Sequence, residues 1–137
     1  MLECLVMGDS IAVGIGQHRP DCNVVAKVGI TSKKWFYTYH ETITKHNYKT
    51  VYISLGSNDN WNDTSDALYA IRKTIKADKV FWILTSPTLK PAQRAIIKEI
   101  ASEFRDATVD ISEHISKDGI HPTGIGYKTV ANKLKSM

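Results

Sequence analysis

Short runs of consecutive apolar residues alternate along this chain with longer stretches whose apolar positions recur every three or four residues. The runs "ECLVM" (3–7), "CNVVAKV" (22–28), "TVYISL" (50–55), "KVFWILT" (79–85) and "ATVDI" (107–111) predict five strands. The fourth, apolar throughout, suits burial on both faces of a sheet. Between them the pattern predicts helices. One begins near Ser10; a second has "KKWFYTYHETIT" as its body behind a cap at Thr31 or Ser32. A third runs from a cap at Asp63 or Thr64 to about Ala77, carrying Leu68, Ile71 and Ile75 at helical spacing. A fourth covers 91–105 with Pro91 as its first residue, and a last one is capped by Thr123. Strands alternating with helices predict a parallel sheet between helical layers, with functional loops gathered at the carboxyl ends of the strands.

Length fits this picture: 137 residues make one domain, 1–137, with a proper core. There is no internal repeat or linker. No segment approaches the roughly 18 consecutive apolar residues of a membrane span, and no signal peptide is visible, so the expectation is a cytoplasmic chain or one released without a signal. Cys4 and Cys22 have no metal-ligand spacing; beside strands they predict reduced, buried thiols, with a disulfide between them left open. The net charge of +4 comes from scattered lysines and reads as a solvated basic surface; nucleic acid is an unlikely partner on this pattern, and oligomeric state is left open.

Chemistry enters at "LVMGDSIAVGIG" (5–16), where Ser10 is a helix cap, part of a phosphate loop or a nucleophile. A Walker loop fails, because Gly8 to Gly14 is one residue too long and no Gly-Lys follows; a dinucleotide fingerprint fails after Gly16. A nucleophilic serine needs a base, and the base needs an orienting carboxylate. "DGIHP" supplies His121 and Asp118 three residues apart. Acyl transfer also needs donors for an oxyanion, and three candidates follow predicted strands: the Ser10 N–H, the Gly29 N–H and the Asn58 amide. Asp9 is expected to tie its loop to backbone N–H groups. Asp59 either orients Asn58 or caps a turn. Gly14 and Gly16 read as close-packing or helix-end positions.

On these residues the chain resembles the SGNH hydrolase superfamily, the GDSL esterases and lipases. "GDSIAVG" is similar to its first block, with Ile11 where many members have leucine; Gly29 stands for the second, "GSND" (56–59) for the third and "DGIHPTGIGY" for the last. The resemblance implies a three-layer α/β/α sandwich around a central parallel five-stranded sheet, flavodoxin-like in topology. It implies a serine esterase with Ser10, His121 and Asp118 as triad and Ser10, Gly29 and Asn58 as oxyanion hole, needing no metal or cofactor. Lysophospholipase, thioesterase and acyltransferase activities also occur in the superfamily. The chain is short for it, leaving little room for a lid. An open cleft favours short acyl groups, acetate above all, on a sugar, polysaccharide or other polar alcohol.

Trp35, Trp61 and Asp59 are the candidate substrate-lining residues; for each tryptophan the rival reading is plain packing. Tyr37, Tyr39, Phe81 and Trp82 read as core or helix-face packing, and His18, His40, His46 and His114 as surface or structural residues. From another class, a carbohydrate-binding module without catalysis remains a rival, opposed by the intact set Ser10, Asn58, Asp118 and His121.

Overall fold

A computed structural model describes residues 1–137 apart from the Trp61 side chain, which lies outside the described residues. Its elements follow in the order β1 (Leu2–Gly8), α1 (Ser10–Gly16), β2 (Asn23–Ala26), α2 (Ser32–Thr44), β3 (Tyr48–Ser54), α3 (Trp61–Thr74), β4 (Ala77–Ile83), α4 (Pro91–Phe104), β5 (Ala107–Val109) and α5 (Gly124–Lys135). A single 3-10 turn at Ser112–His114 precedes α5. The strands form one parallel sheet in the order β2-β1-β3-β4-β5. This is the flavodoxin order, in which the chain leaves β1 towards one edge and returns to its other side as β3. The reversal opens a crevice at the carboxyl ends of β1 and β3.

Period-two alternation divides the core between the two faces of the sheet. Leu5 and Met7 of β1 face the cluster that buries Trp35 and Ile43 of α2, Leu68 and Ile71 of α3, and Ile97 and Ile100 of α4. Cys4 and Val6 face the other cluster, with Ile11 and Ile15 of α1 and Val130 and Leu134 of α5. Gly14 lets α1 and α5 meet, because a Cβ there would lie 2.3 Å from the Tyr127 ring.

Three expectations are corrected. Helix α3 starts at Trp61 behind Asn60 and not behind Asp63 or Thr64; the Thr64 hydroxyl is drawn inward to the Asp59 carboxylate at 3.0 Å. The helix ends at Thr74, and Ile75 turns extended because Ala77 already pairs with Tyr48 of β3. Cys4 and Cys22 are joined as a disulfide and are not free thiols. The cause is register: Leu5 pairs with Asn23, so the preceding residues face each other across neighbouring strands with Cα atoms 4.8 Å apart. Among the described residues, no helix is long and apolar enough to cross a membrane.

Candidate active site

Every strand-end loop named in the sequence reaches the same edge of the sheet. Strand β1 ends at Gly8, whose φ of 137° and distance from Ser54 leave no space for a side chain: a Cβ would lie 1.8 Å from the Ser54 carbonyl oxygen. The chain turns there, and Asp9 caps α1 by accepting from the Ile11 N–H at 3.0 Å. Ser10 is the first residue of α1. Its backbone N–H precedes any intrahelical acceptor, and its half-buried side chain points from the helix start.

The loop from Ile111 to Thr123 is held by its own backbone. Ser116 N–H donates to the His121 carbonyl at 2.8 Å and Thr123 N–H to the His114 carbonyl at 3.1 Å, while Gly119 turns the chain at φ 78°. Within it, one oxygen of Asp118 accepts from the backbone N–H groups of Ile120 (2.7 Å) and His121 (2.8 Å). The other oxygen lies 2.8 Å from His121 Nδ1, and His121 Nε2 lies 2.8 Å from Ser10 Oγ. The N–H groups of His121 and Ile120, and then the imidazole, hold the Asp118 carboxyl well below the usual carboxylate range. An ionised Asp118 can only accept, so His121 Nδ1 carries the hydrogen and donates it to this bond. Nε2 is thereby left to accept from the Ser10 hydroxyl, an assignment made from the hydrogen-bond network. Half of each partner stays in contact with solvent: the Asp118 side chain is 50% exposed and that of His121 42%.

Asn58 follows β3 and donates from Nδ2 to the Ile30 carbonyl at 3.0 Å. That bond fixes the amide plane and leaves a second N–H free. Gly29 occupies the turn after β2 at φ 78°, with no atom beyond its two chain neighbours within 4 Å of where a Cβ would be. The backbone there stands open to an approaching ligand. Small hollows accompany both positions, about 120 Å³ beside Asn58 and about 60 Å³ at the turn of Gly29.

Two of the expected lining residues have other roles. Trp35 is fully buried and donates its indole N–H to the Val25 carbonyl at 3.0 Å; as a core residue it cannot be a substrate wall. Asp59 edges the hollow beside Asn58 but is only 4% exposed. Its carboxylate accepts from Ser32 N–H at 2.8 Å and from the Thr64 hydroxyl, so it joins the starts of α2 and α3 as a strut. Trp61 keeps no assignment, since its side chain is outside the described residues. Supports that sequence reasoning missed are Ser54, which donates to Asp9 at 3.1 Å, and Gln93, which donates to the Asp59 carbonyl at 2.8 Å. Nothing in the sequence marked either, because the first depends on the register that pairs Gly8 with Ser54 and the second on how α4 packs.

No protein-family model matches the chain, and no curated protein matches it in sequence. Its fold, however, is that of the SGNH hydrolases. A GDSL-like lipase from Bacteroides thetaiotaomicron is similar over 98% of this chain and 86% of its own, at 20% identity and a TM-score of 0.74. An aryl esterase from M. smegmatis matches over 99% of each chain, at 15% identity and a TM-score of 0.70. An acetyl xylan esterase from Geobacillus stearothermophilus matches over 98% and 93%, at 17% identity and 0.68.

Proposed function

We propose that this protein is a serine esterase that removes short acyl groups, acetyl above all, from a carbohydrate or other polar alcohol. The observation that carries the reading is the unbroken line from Ser10 Oγ through His121 to Asp118, each step 2.8 Å. In the proposed cycle His121 Nε2 takes the Ser10 proton as Oγ attacks the ester carbonyl. The oxyanion then receives the N–H groups of Ser10 and Gly29 and the free Asn58 N–H. Collapse expels the alcohol, which takes the proton from His121, and leaves an acyl-serine. Water, deprotonated by His121, hydrolyses that intermediate and restores Ser10. Asp118 stays ionised throughout and stabilises the imidazolium.

Small hollows and a half-exposed triad favour a short acyl group over a long chain. The similar structures include a lipase, an aryl esterase and an acetyl xylan esterase, which supports ester hydrolysis. A disulfide persists in oxidising surroundings, so of the two expected placements we infer the released one.

Hydrolysis of p-nitrophenyl esters from acetyl to octanoyl tests the proposal. The wild type should turn over the acetyl ester fastest, and Ser10→Ala should lower kcat by about 10⁴-fold or more. A folded wild type inert towards every ester would overturn the esterase reading, and a preference for octanoyl would overturn the short-acyl reading.

A further inference from the structure

A second groove adjoins the hollow beside Asn58. It lies between α2 and α3, encloses about 230 Å³, and shares Lys33 and Asp63 with that hollow as common lining. Phe36, Tyr37, Asp66, Ala67 and Ala70 complete its lining. Tyr37 had read as a packing residue, yet it is 70% exposed. The ring stands edge-on to its neighbour. Its centroid lies 6.0 Å from that of Phe36 at 71°, and Phe36 is stacked on His40 at 4.6 Å. A braced aromatic face therefore stands in solvent beside two carboxylates and one ammonium.

We propose that this groove binds the neutral sugar units flanking the acylated one, which makes the enzyme an esterase of oligo- or polysaccharide chains. The inference rests on the esterase reading above. Three features carry it. The C–H face of a pyranose ring is apolar, with weakly positive hydrogens, and complements the negative face of Tyr37. Asp63 and Asp66 are exposed acceptors for sugar hydroxyls, and Lys33 is a donor. The small side chains of Ala67 and Ala70 in the lining leave room for a flat ring. With two carboxylates against one ammonium the groove repels anionic chains, so uronate- or phosphate-bearing glycans are poor ligands. Continuity with the Asn58 hollow places bound sugar units next to the candidate oxyanion site.

The test compares acetylated gluco-oligosaccharides, from mono- to hexasaccharide, with p-nitrophenyl acetate for wild type, Tyr37→Ala, Tyr37→Phe and Asp66→Asn. Tyr37 and Asp66 are both exposed, so these variants are expected to fold, which circular dichroism checks. In the wild type KM should fall as the sugar chain lengthens. Tyr37→Ala should raise KM for the longer sugars about three- to tenfold, leave kcat and p-nitrophenyl acetate hydrolysis within about twofold, and be rescued by Tyr37→Phe. Asp66→Asn should act in the same direction more weakly. A chain-length dependence untouched by Tyr37→Ala would overturn the proposal. So would a rise in KM confined to p-nitrophenyl acetate, which would give the groove to an aryl leaving group. Binding is read separately by titrating the chain with unacetylated gluco-oligosaccharide and following backbone amide resonances. Shifts at Lys33, Tyr37, Asp63 and Asp66 that vanish in Tyr37→Ala are expected, even if no ester is hydrolysed. Their absence overturns the sugar site, whereas their presence without hydrolysis overturns only the esterase reading.

Discussion

Asp9 sits beneath the Ser10 turn with its carboxyl wholly enclosed. One oxygen accepts from Ile11 N–H and the Ser54 hydroxyl; the other has no hydrogen-bond partner among the described residues. Burial pushes this carboxyl up to about 7, against the lowering effect of those hydrogen bonds and of His121. The unfolded chain releases the proton near 3.8 while the native chain keeps it to about 7, so the native state binds more protons in that window. Asp9 therefore lowers stability progressively as pH rises from about 4 to about 7, and no further above it. Asp9→Asn keeps an acceptor for Ile11 and cannot ionise. The melting temperature of the variant minus that of the wild type should climb across this window and then level off; a difference independent of pH would contradict the account. Asp110 shows the opposite sign: the Ser112 N–H, with Arg94 assisting, lowers it to about 2, and its contribution disappears only as pH falls below the ordinary carboxylate range. Asn58 offers a different residue-level check. If its free N–H meets the oxyanion, Asn58→Ala should reduce kcat for p-nitrophenyl acetate by about 10²–10³-fold with little change in KM. A loss appearing in KM alone would move Asn58 out of the oxyanion hole.

At the scale of elements, the disulfide ties the beginning of β1 to the residue just before β2, across a separation of 18 residues. The loop it closes contains the Ser10 turn and the whole of α1. Restricting that loop in the unfolded chain contributes about 3 kcal/mol. Reduction by a dithiol should then lower the melting temperature by roughly 10 °C, and the native oxidised chain should show no titratable thiol. An unchanged melting temperature after complete reduction would contradict this. The cysteine pair also marks where reading the sequence stopped. Strand identities were legible from apolar runs, and Pro91 and Thr123 marked two helix starts as expected. Register was not legible, because a run of apolar residues pairs equally well one position either way, and register alone brings Cys4 to Cys22. Helix α3 was misplaced at its start for a related reason. Thr64 looks like a cap, yet its hydroxyl serves Asp59, a partner supplied by another loop. Trp35 is buried and Tyr37 exposed; the body of α2 is aromatic on both faces, so spacing did not identify which face meets the sheet.

Across the whole molecule, parallel order and the reversal between β1 and β3 bring residues 111 positions apart, Ser10 and His121, to a 2.8 Å contact. The candidate set was readable in sequence because each block follows a strand, and strand ends share an edge in such sheets. Its openness was legible only from chain length, and the groove between α2 and α3 was not legible at all, since it arises from helix packing. The central claim concerns one oxygen atom. Treating the folded protein with a fluorophosphonate and measuring intact mass and peptide masses addresses it directly. The account predicts one adduct per chain, located on Ser10, absent from Ser10→Ala and nearly absent from His121→Ala. A folded wild type that takes up no adduct, or an adduct that persists in Ser10→Ala, would contradict it.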